Sequence, residues 1–227
     1  AITIAQKLTR RGNVGTGQLG RDDLYAHSID LAIETENLSD VFQVMEQARL
    51  QEHFDIIKGL SPEQLTGRRL RILKRALKEK SQEQISKPLQ YLTKTSPLLS
   101  QAIIKNPVSL DEFKKSLDEK TVVISYFMGN KNIYALIFDK TQSLAKVKPI
   151  NKGLFQTRLI ELRKKLDAFS PVDNALNKLS EEILLPDTQR WADKERVVVL
   201  PHADLAHVPF SALLINGKAM MDYWRIS

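Results

Sequence analysis

The run Arg196-Val197-Val198-Val199-Leu200-Pro201 constrains the fold most. A continuous β-branched and aliphatic stretch closed by Pro has the composition of a strand buried on both faces. Such a strand needs a neighbour along each edge and a cover over each face. Residues 201–227 follow it, little chain to supply both. A central strand left with open edges is a template for aggregation. Two arrangements meet the need: a set of upstream strands packs onto it, or strands from another polypeptide complete the sheet.

The upstream strands are legible. Thr121-Val122-Val123-Ile124-Ser125-Tyr126-Phe127 is β-branched and aromatic, which is strand chemistry. Gly129-Asn130-Lys131-Asn132 reads as a turn, Ile133–Phe138 as the return strand, and Asp139-Lys140 as a second turn. From Ala145 to Lys148 apolar and basic residues alternate, so the segment predicts a three-stranded antiparallel meander. Two helices follow, at about 153–167 and 172–184. Phe155, Leu159, Leu162 and Leu166 stripe the first; Leu176, Leu179, Ile183 and Leu184 stripe the second. Beyond the apolar run, Asn216-Gly217 reads as a turn, and Met220–Ile226 as a candidate strand.

The first 108 residues have a different character. Gly12, Gly15, Gly17 and Gly20 break any period within residues 1–21, which read as a flexible lead-in. No Gly-Lys-Ser/Thr follows these glycines and no strand precedes them, so they do not make a phosphate loop. Asp22–Glu34 places Tyr25, Ile29, Ala32 and Ile33 on one side. Ser39 is positioned to cap a second helix carrying Val41, Phe42, Val44, Met45, Ala48 and Leu50. The short join at Glu36-Asn37-Leu38 favours an antiparallel pair, which cannot bury its apolar face alone and wants neighbours, as in a helical-repeat array. No internal repeat is visible. Ser61-Pro62-Glu63-Gln64 starts a further helix, Ser81-Gln82-Glu83 another that breaks near Pro88, and Ser109-Leu110-Asp111-Glu112 is a capping box whose short helix ends near Leu117. The expectation is a helical segment over 22–108 and an α/β domain from 109 to 227.

Composition excludes several functions. There is no cysteine, so disulfides, thiolate–metal sites and a Cys nucleophile are excluded within this chain. No apolar run is long enough to span a membrane, and the N-terminus has no charged n-region or apolar core of a signal peptide. The expected location is the cytoplasm. With no initiator Met, the chain reads as a piece of a longer polypeptide. The net charge is +7, and most of it is local. Arg68, Arg69, Arg71, Lys74, Arg75, Lys78 and Lys80 stand against Glu79 alone, so residues 68–80 carry +6 and the rest of the chain +1. Arg68, Arg69, Arg71, Lys74, Arg75 and Lys78 are candidate partner-binding residues. The plainest reading is a solvated helix face, and the next is contact with an acidic partner. Without interleaved stacking aromatics, nucleic acid is the weakest reading.

His202, Asp204 and His207 sit in the loop after the buried run, where ligands often lie beyond the carboxyl ends of strands. They are candidate near-site residues, although structural hydrogen bonding is the simpler role for a loop His. Ser211, His207 and Asp204 do not make a supported triad, because no nucleophile-elbow motif surrounds the Ser. Metal binding by His202, Asp204 and His207 is equally unsupported. No cofactor or metal is expected. His27 and His53 lie in helical patterns and need no special role.

Val197-Val198-Val199-Leu200-Pro201, then Leu205, then Val208-Pro209-Phe210-Ser211-Ala212-Leu213, then Met220–Ser227 occur in an order that resembles the start of a CHAT domain. This family comprises caspase- and separase-like modules, usually attached to tetratricopeptide repeats. Leu110–Lys120 with the two strands after it is similar to the helix and hairpin before the family's core. Met45-Glu46-Gln47-Ala48-Arg49 resembles the last repeat helix. The resemblance covers roughly 22–227 and implies an α/β fold of the caspase-like three-layer kind. In it Val197–Leu200 and 220–226 would be core strands, preceded by the repeat-like helices. One departure stands out: the family commonly carries Leu-His where this chain has Leu205-Ala206, with His207 one place later. The family is also usually acidic where this chain has His202. The family's catalytic His, in a His-Gly motif, and its Cys, in a Ser-Ala-Cys-like motif, would both lie past residue 227. The implied role is therefore the N-terminal, non-catalytic portion of a cysteine peptidase, with no catalytic residue here. Its partners would be the C-terminal half of the same domain and a protein or peptide on the helical segment. The alternative is a non-enzymatic interaction module or pseudo-protease.

Overall fold

The computed structural model describes residues 20–59 and 108–227. By its contacts the chain divides into two compact units. One joins the residues up to Met45 to Val108–Ser227, and the other spans Glu46–Pro107. Residues 68–80, with their six candidate partner-binding cations, lie outside the described residues, as do the helix starts expected at Ser61 and Ser81.

The first unit is a mixed α/β fold around one five-stranded sheet, with spatial order β3-β2-β1-β4-β7. Its elements are α1 (Arg21–Glu34), α2 (Leu38–Gly59, of which the part up to Met45 belongs here), α3 (Leu110–Ser116), β1 (Thr121–Met128), β2 (Asn132–Phe138), β3 (Ser143–Pro149), α4 (Lys152–Asp167), α5 (Asp173–Glu182), β4 (Arg196–Leu200), β5 (Leu214–Ile215), β6 (Lys218–Ala219) and β7 (Arg225–Ile226). β1, β2 and β3 form the antiparallel meander, and β4 lies parallel to β1, pairing Val122 with Val197 and Ile124 with Val199. The strand expected to be buried on both faces is only partly so: Val197 is buried, while Val198, Val199 and Leu200 keep intermediate exposure, because β7 covers only the first residues of its other edge. Of the two arrangements, the chain uses the internal one: its own meander lies along one edge of β4.

The alternation of β1 explains why every one of its residues is buried. Val122, Ile124, Tyr126 and Met128 point to a core built with Phe155 and Leu162 of α4 and Leu176 and Leu179 of α5. The odd-numbered residues face the N-terminal helices. Phe127 meets Tyr25 of α1 edge to face, and the Ser125 hydroxyl approaches the Met45 thioether at 3.7 Å. Phe138 of β2 packs edge to face against Phe42 of α2 and Phe113 of α3. Helices therefore cover both faces. The helix pair expected to need neighbours has one in the sheet itself, through Met45.

Local chemistry sets the element ends. Asn37 Oδ1 accepts from Asp40 N at 3.2 Å, so the side-chain cap of α2 is Asn37 and not Ser39, and the helix begins at Leu38. Ser109 and Glu112 form the reciprocal capping box that starts α3. Asn216 and Gly217 both have positive φ, the requirement of the two-residue turn that joins β5 to β6. The expected strand over Met220–Ile226 is shorter. Met220–Asp222 is a 3-10 turn, and only Arg225–Ile226 pairs with β4.

β7 is an edge with a defined polarity. Arg225 N donates to Glu195 O and Ser227 N to Val197 O, while Val199 N donates to Ser227 O. In a parallel pair alternate residues serve the same neighbour. The Ile226 N–H and C=O therefore point away from β4.

The second unit is described only through the remainder of α2, where Arg49 pairs with Glu46 one turn away.

Candidate functional site

The carboxyl ends of the parallel strands β1 and β4 lie side by side, and the loop after β4 separates the residues that its sequence groups. His202 is buried and stacks on Phe127, ring centroids 4.6 Å apart. Its Nδ1 accepts from the backbone N–H of Met128 at 3.3 Å. This His is a structural clasp between the ends of β1 and β4. Ala203 then takes φ +52, the left-handed region that costs an L-residue about 1–2 kcal/mol. Past it the chain turns to the opposite face of the sheet. Asp204 Oδ2 accepts from Gln156 Nε2 of α4 at 2.8 Å, and Leu205 and Val208 enter the core beneath α4 and α5.

Asp204, His207 and Pro209 form one wall of a groove of about 500 Å³. Gln156, Leu159, Ile160, Leu162, Arg163 and Leu166 of α4 form the other. That volume lies within the range of ligand-binding clefts. Of the three loop residues singled out in the sequence, two meet at this groove, while His202 is committed elsewhere. Ser211, on the 3-10 turn Phe210–Ala212, is exposed and does not line it. Among the described residues, no three His, Asp or Glu side chains gather as a metal ligand set. No described helix is long and apolar enough to cross a membrane.

The far end of the sheet is held by a polar cluster that sequence reading passed over. Lys194 Nζ lies 2.9 Å from Asp139 Oδ2 and donates to Glu119 O at 2.8 Å. Asp139 Oδ1 also accepts from Gln142 N at 2.8 Å and Thr141 N at 2.7 Å. Burial alone would raise the Asp139 pKa. The Gln142 N–H, the Lys194 ammonium and the Thr141 donors outweigh it and hold the carboxyl well below the usual range. For Lys194 burial works downward, and Asp139 and Asp193 override it, so its pKa is raised. Burial pushes the Tyr126 phenol up, and its hydroxyl donates to Leu184 O at 2.7 Å. Burial, with Asp30 adding to it, pushes Tyr134 up to about 12. None of these groups lines the groove, although Tyr126 stacks on Phe210, ring centroids 5.3 Å apart, next to groove-lining Pro209.

The α4 wall was half legible. Phe155, Leu159, Leu162 and Leu166 were the apolar stripe, but Ile160 falls outside it and stands 56% exposed. An aliphatic residue beside the core stripe was the available signal for a second apolar face. The arrangement has a carboxylate, an imidazole and a guanidinium around an aliphatic floor, and no hydroxyl side chain among the described residues lines it. Set against known proteins, the chain matches no protein-family model and has no significant match among curated proteins, so its residues alone carry the functional reading.

Proposed function

We propose that this chain is the N-terminal, scaffold-bearing portion of a CHAT-type, caspase-like cysteine peptidase, completed by a C-terminal half that brings the His and Cys. The observation that carries the reading is the edge at β7. Parallel strands β1, β4 and β7 are added in one direction, and the Ile226 backbone groups face outward, as a sheet that continues would require. The resemblance of 197–213 and 220–227 to the family supports it. In this reading α1 and α2 are the repeat-like helices before the domain, the strands lie in a caspase-like three-layer fold, and the protein works in the cytoplasm. In the completed enzyme the His would promote thiolate formation and the thiolate would attack the scissile carbonyl. This chain would contribute the strands that position them.

Denaturing intact-mass and native-mass measurements on the protein purified from its natural host, with thiol alkylation, test this. An attached or co-purifying segment with an alkylated Cys and a His-Gly motif is the expected result. A folded 25.8 kDa species alone overturns it.

The groove on α4 favours a second reading, a non-enzymatic interaction module. That reading expects the isolated chain to be a stable monomer with no peptidase activity in any complex.

A further inference from the structure

We infer that the outer edge of β3 is a docking site for an acidic extended segment of a partner protein, which adds to the sheet as a further strand. β3 lies at the opposite edge of the sheet from β7, so the inference does not depend on a catalytic half. Register fixes which of its groups are free. Ile150 N donates to Lys131 O and Asp139 N to Gln142 O, which makes these two the hydrogen-bonded kind of pair. Every second pair of the β2–β3 ladder between them is bonded likewise. Leu144, Lys146 and Lys148 therefore bond to β2, while Ser143, Ala145 and Val147 turn their N–H and C=O groups outward. No described residue hydrogen-bonds those outward backbone groups. Pro149 is the next outward position and has no N–H to offer, so the free donors run from Ser143 to Val147. Val147 is 40% exposed. An edge of this kind takes an extended peptide through its main chain, and alternate side chains set the specificity.

The side chains of β3 choose the occupant, because they are the ones that stand directly across from an added strand. Leu144, Lys146 and Lys148 share one face; Ser143, Ala145 and Val147 share the other. The strand thus presents two cations two residues apart and no anion. Neither lysine forms an ion pair with a described residue. Of the acids at the end of α5, Glu182 is paired with Arg158, and Glu181 meets Lys148 through its backbone carbonyl. A second copy of this edge brings two more lysines alongside the first two. Like charges oppose that pairing, and lysines on an edge strand guard against self-association. An extended segment with acidic residues at alternate positions faces both lysines at once, and apolar residues between them face Ala145 and Val147.

Fluorescence anisotropy on the full chain tests the edge with labelled peptides of seven residues, the length of β3. One alternates Glu with Val, and a second alternates Lys with Val. The Glu peptide is expected to bind, and the Lys peptide roughly fivefold or more weaker. Only alternate N–H groups of an added strand face β3. N-methylating all Val or all Glu residues of the first peptide should therefore separate, one abolishing binding and the other sparing it. Lys146→Glu with Lys148→Glu should reverse the order of the Glu and Lys peptides. Val147→Pro removes an outward N–H and no bond to β2, so it should fold and lose binding, while Val147→Thr keeps both. Circular dichroism and melting temperature identify the folded variants. Equal affinity for the Glu and Lys peptides, no binding by either, equal binding by the two methylated peptides, or a folded Val147→Pro that binds like the wild type overturns the proposal. Self-association of the chain that Val147→Pro abolishes also overturns it, by making a second copy the occupant. Binding lost in Ile226→Pro and kept in Val147→Pro overturns it too, by placing the peptide on β7.

Discussion

Lys194 Nζ and Asp139 Oδ2 stand 2.9 Å apart, with 7% and 2% of their side chains exposed, and they tie the loop before β4 to the turn after β2. These strands are separated by β1 in the sheet, so the pair spans the central strand at its amino end. Removing one partner of a buried pair leaves an uncompensated charge, which is the costly case. Lys194→Met should lower the free energy of unfolding by about 3 kcal/mol. Asp139→Asn combined with Lys194→Met should recover much of that loss, since it removes the uncompensated charge while Oδ1 still accepts from the Thr141 and Gln142 N–H groups. Urea denaturation of the single and double variants measures both.

The same pair fixes a pH dependence. The native Asp139 pKa is depressed, so its contribution is complete above the ordinary Asp value of about 3.9. It is lost as pH falls below that value toward the native one. The native Lys194 pKa is raised above 10.5, so its contribution is complete below that value and is lost as pH rises through the native one. The pair therefore stabilises most between these limits. On going from pH 7 to pH 3, the wild-type urea midpoint should fall further than that of Asp139→Asn; an equal fall would remove Asp139 from the acid limb.

His202 should behave as a structural residue with two separable contributions. His202→Phe keeps a ring against Phe127 but leaves the buried Met128 N–H without its 3.3 Å acceptor. An unsatisfied buried donor costs about 1–3 kcal/mol. His202→Ala loses the acceptor and the stacked ring, opens a cavity, and should be the less stable variant. Thermal and urea unfolding rank them.

The meander and the helices of the α/β part were legible because local chemistry decides them. Thr121–Phe127 has β-branched and aromatic strand composition, Asn216-Gly217 tolerates positive φ, and Ser109 with Glu112 closes a cap. What covers what was not legible. The apolar face of α1 and α2 shows in the period, but its partner does not: Phe42 meets Phe138 about a hundred residues away, and no local pattern encodes that. The N-terminal pair read as wanting repeat neighbours, and the sheet is what it covers. The candidate site was grouped by sequence proximity. His202 and Asp204 are two residues apart, yet Ala203 at φ +52 sends them to opposite faces. An alanine gives no warning of that conformation, as a glycine would have done.

Proline substitutions separate the inward and outward sides of β7. The Arg225 N–H donates to Glu195 O at 2.9 Å, so Arg225→Pro removes a ladder bond and leaves that carbonyl without its partner. The Ile226 N–H faces away from β4, and Pro is tolerated on an edge strand where its missing donor points outward. Arg225→Pro should therefore cost about 1–3 kcal/mol, and Ile226→Pro less than about 1 kcal/mol, in urea denaturation of the chain alone. If a further strand pairs onto β7, as the proposed function requires, the order reverses for assembly. Ile226→Pro should then weaken association with the segment that supplies that strand, while the chain itself stays folded. Native mass spectrometry of the Ile226→Pro chain, compared with Ile226→Val as the conservative control, reads this directly. Association unchanged by Ile226→Pro would mean that the sheet does not continue through this edge.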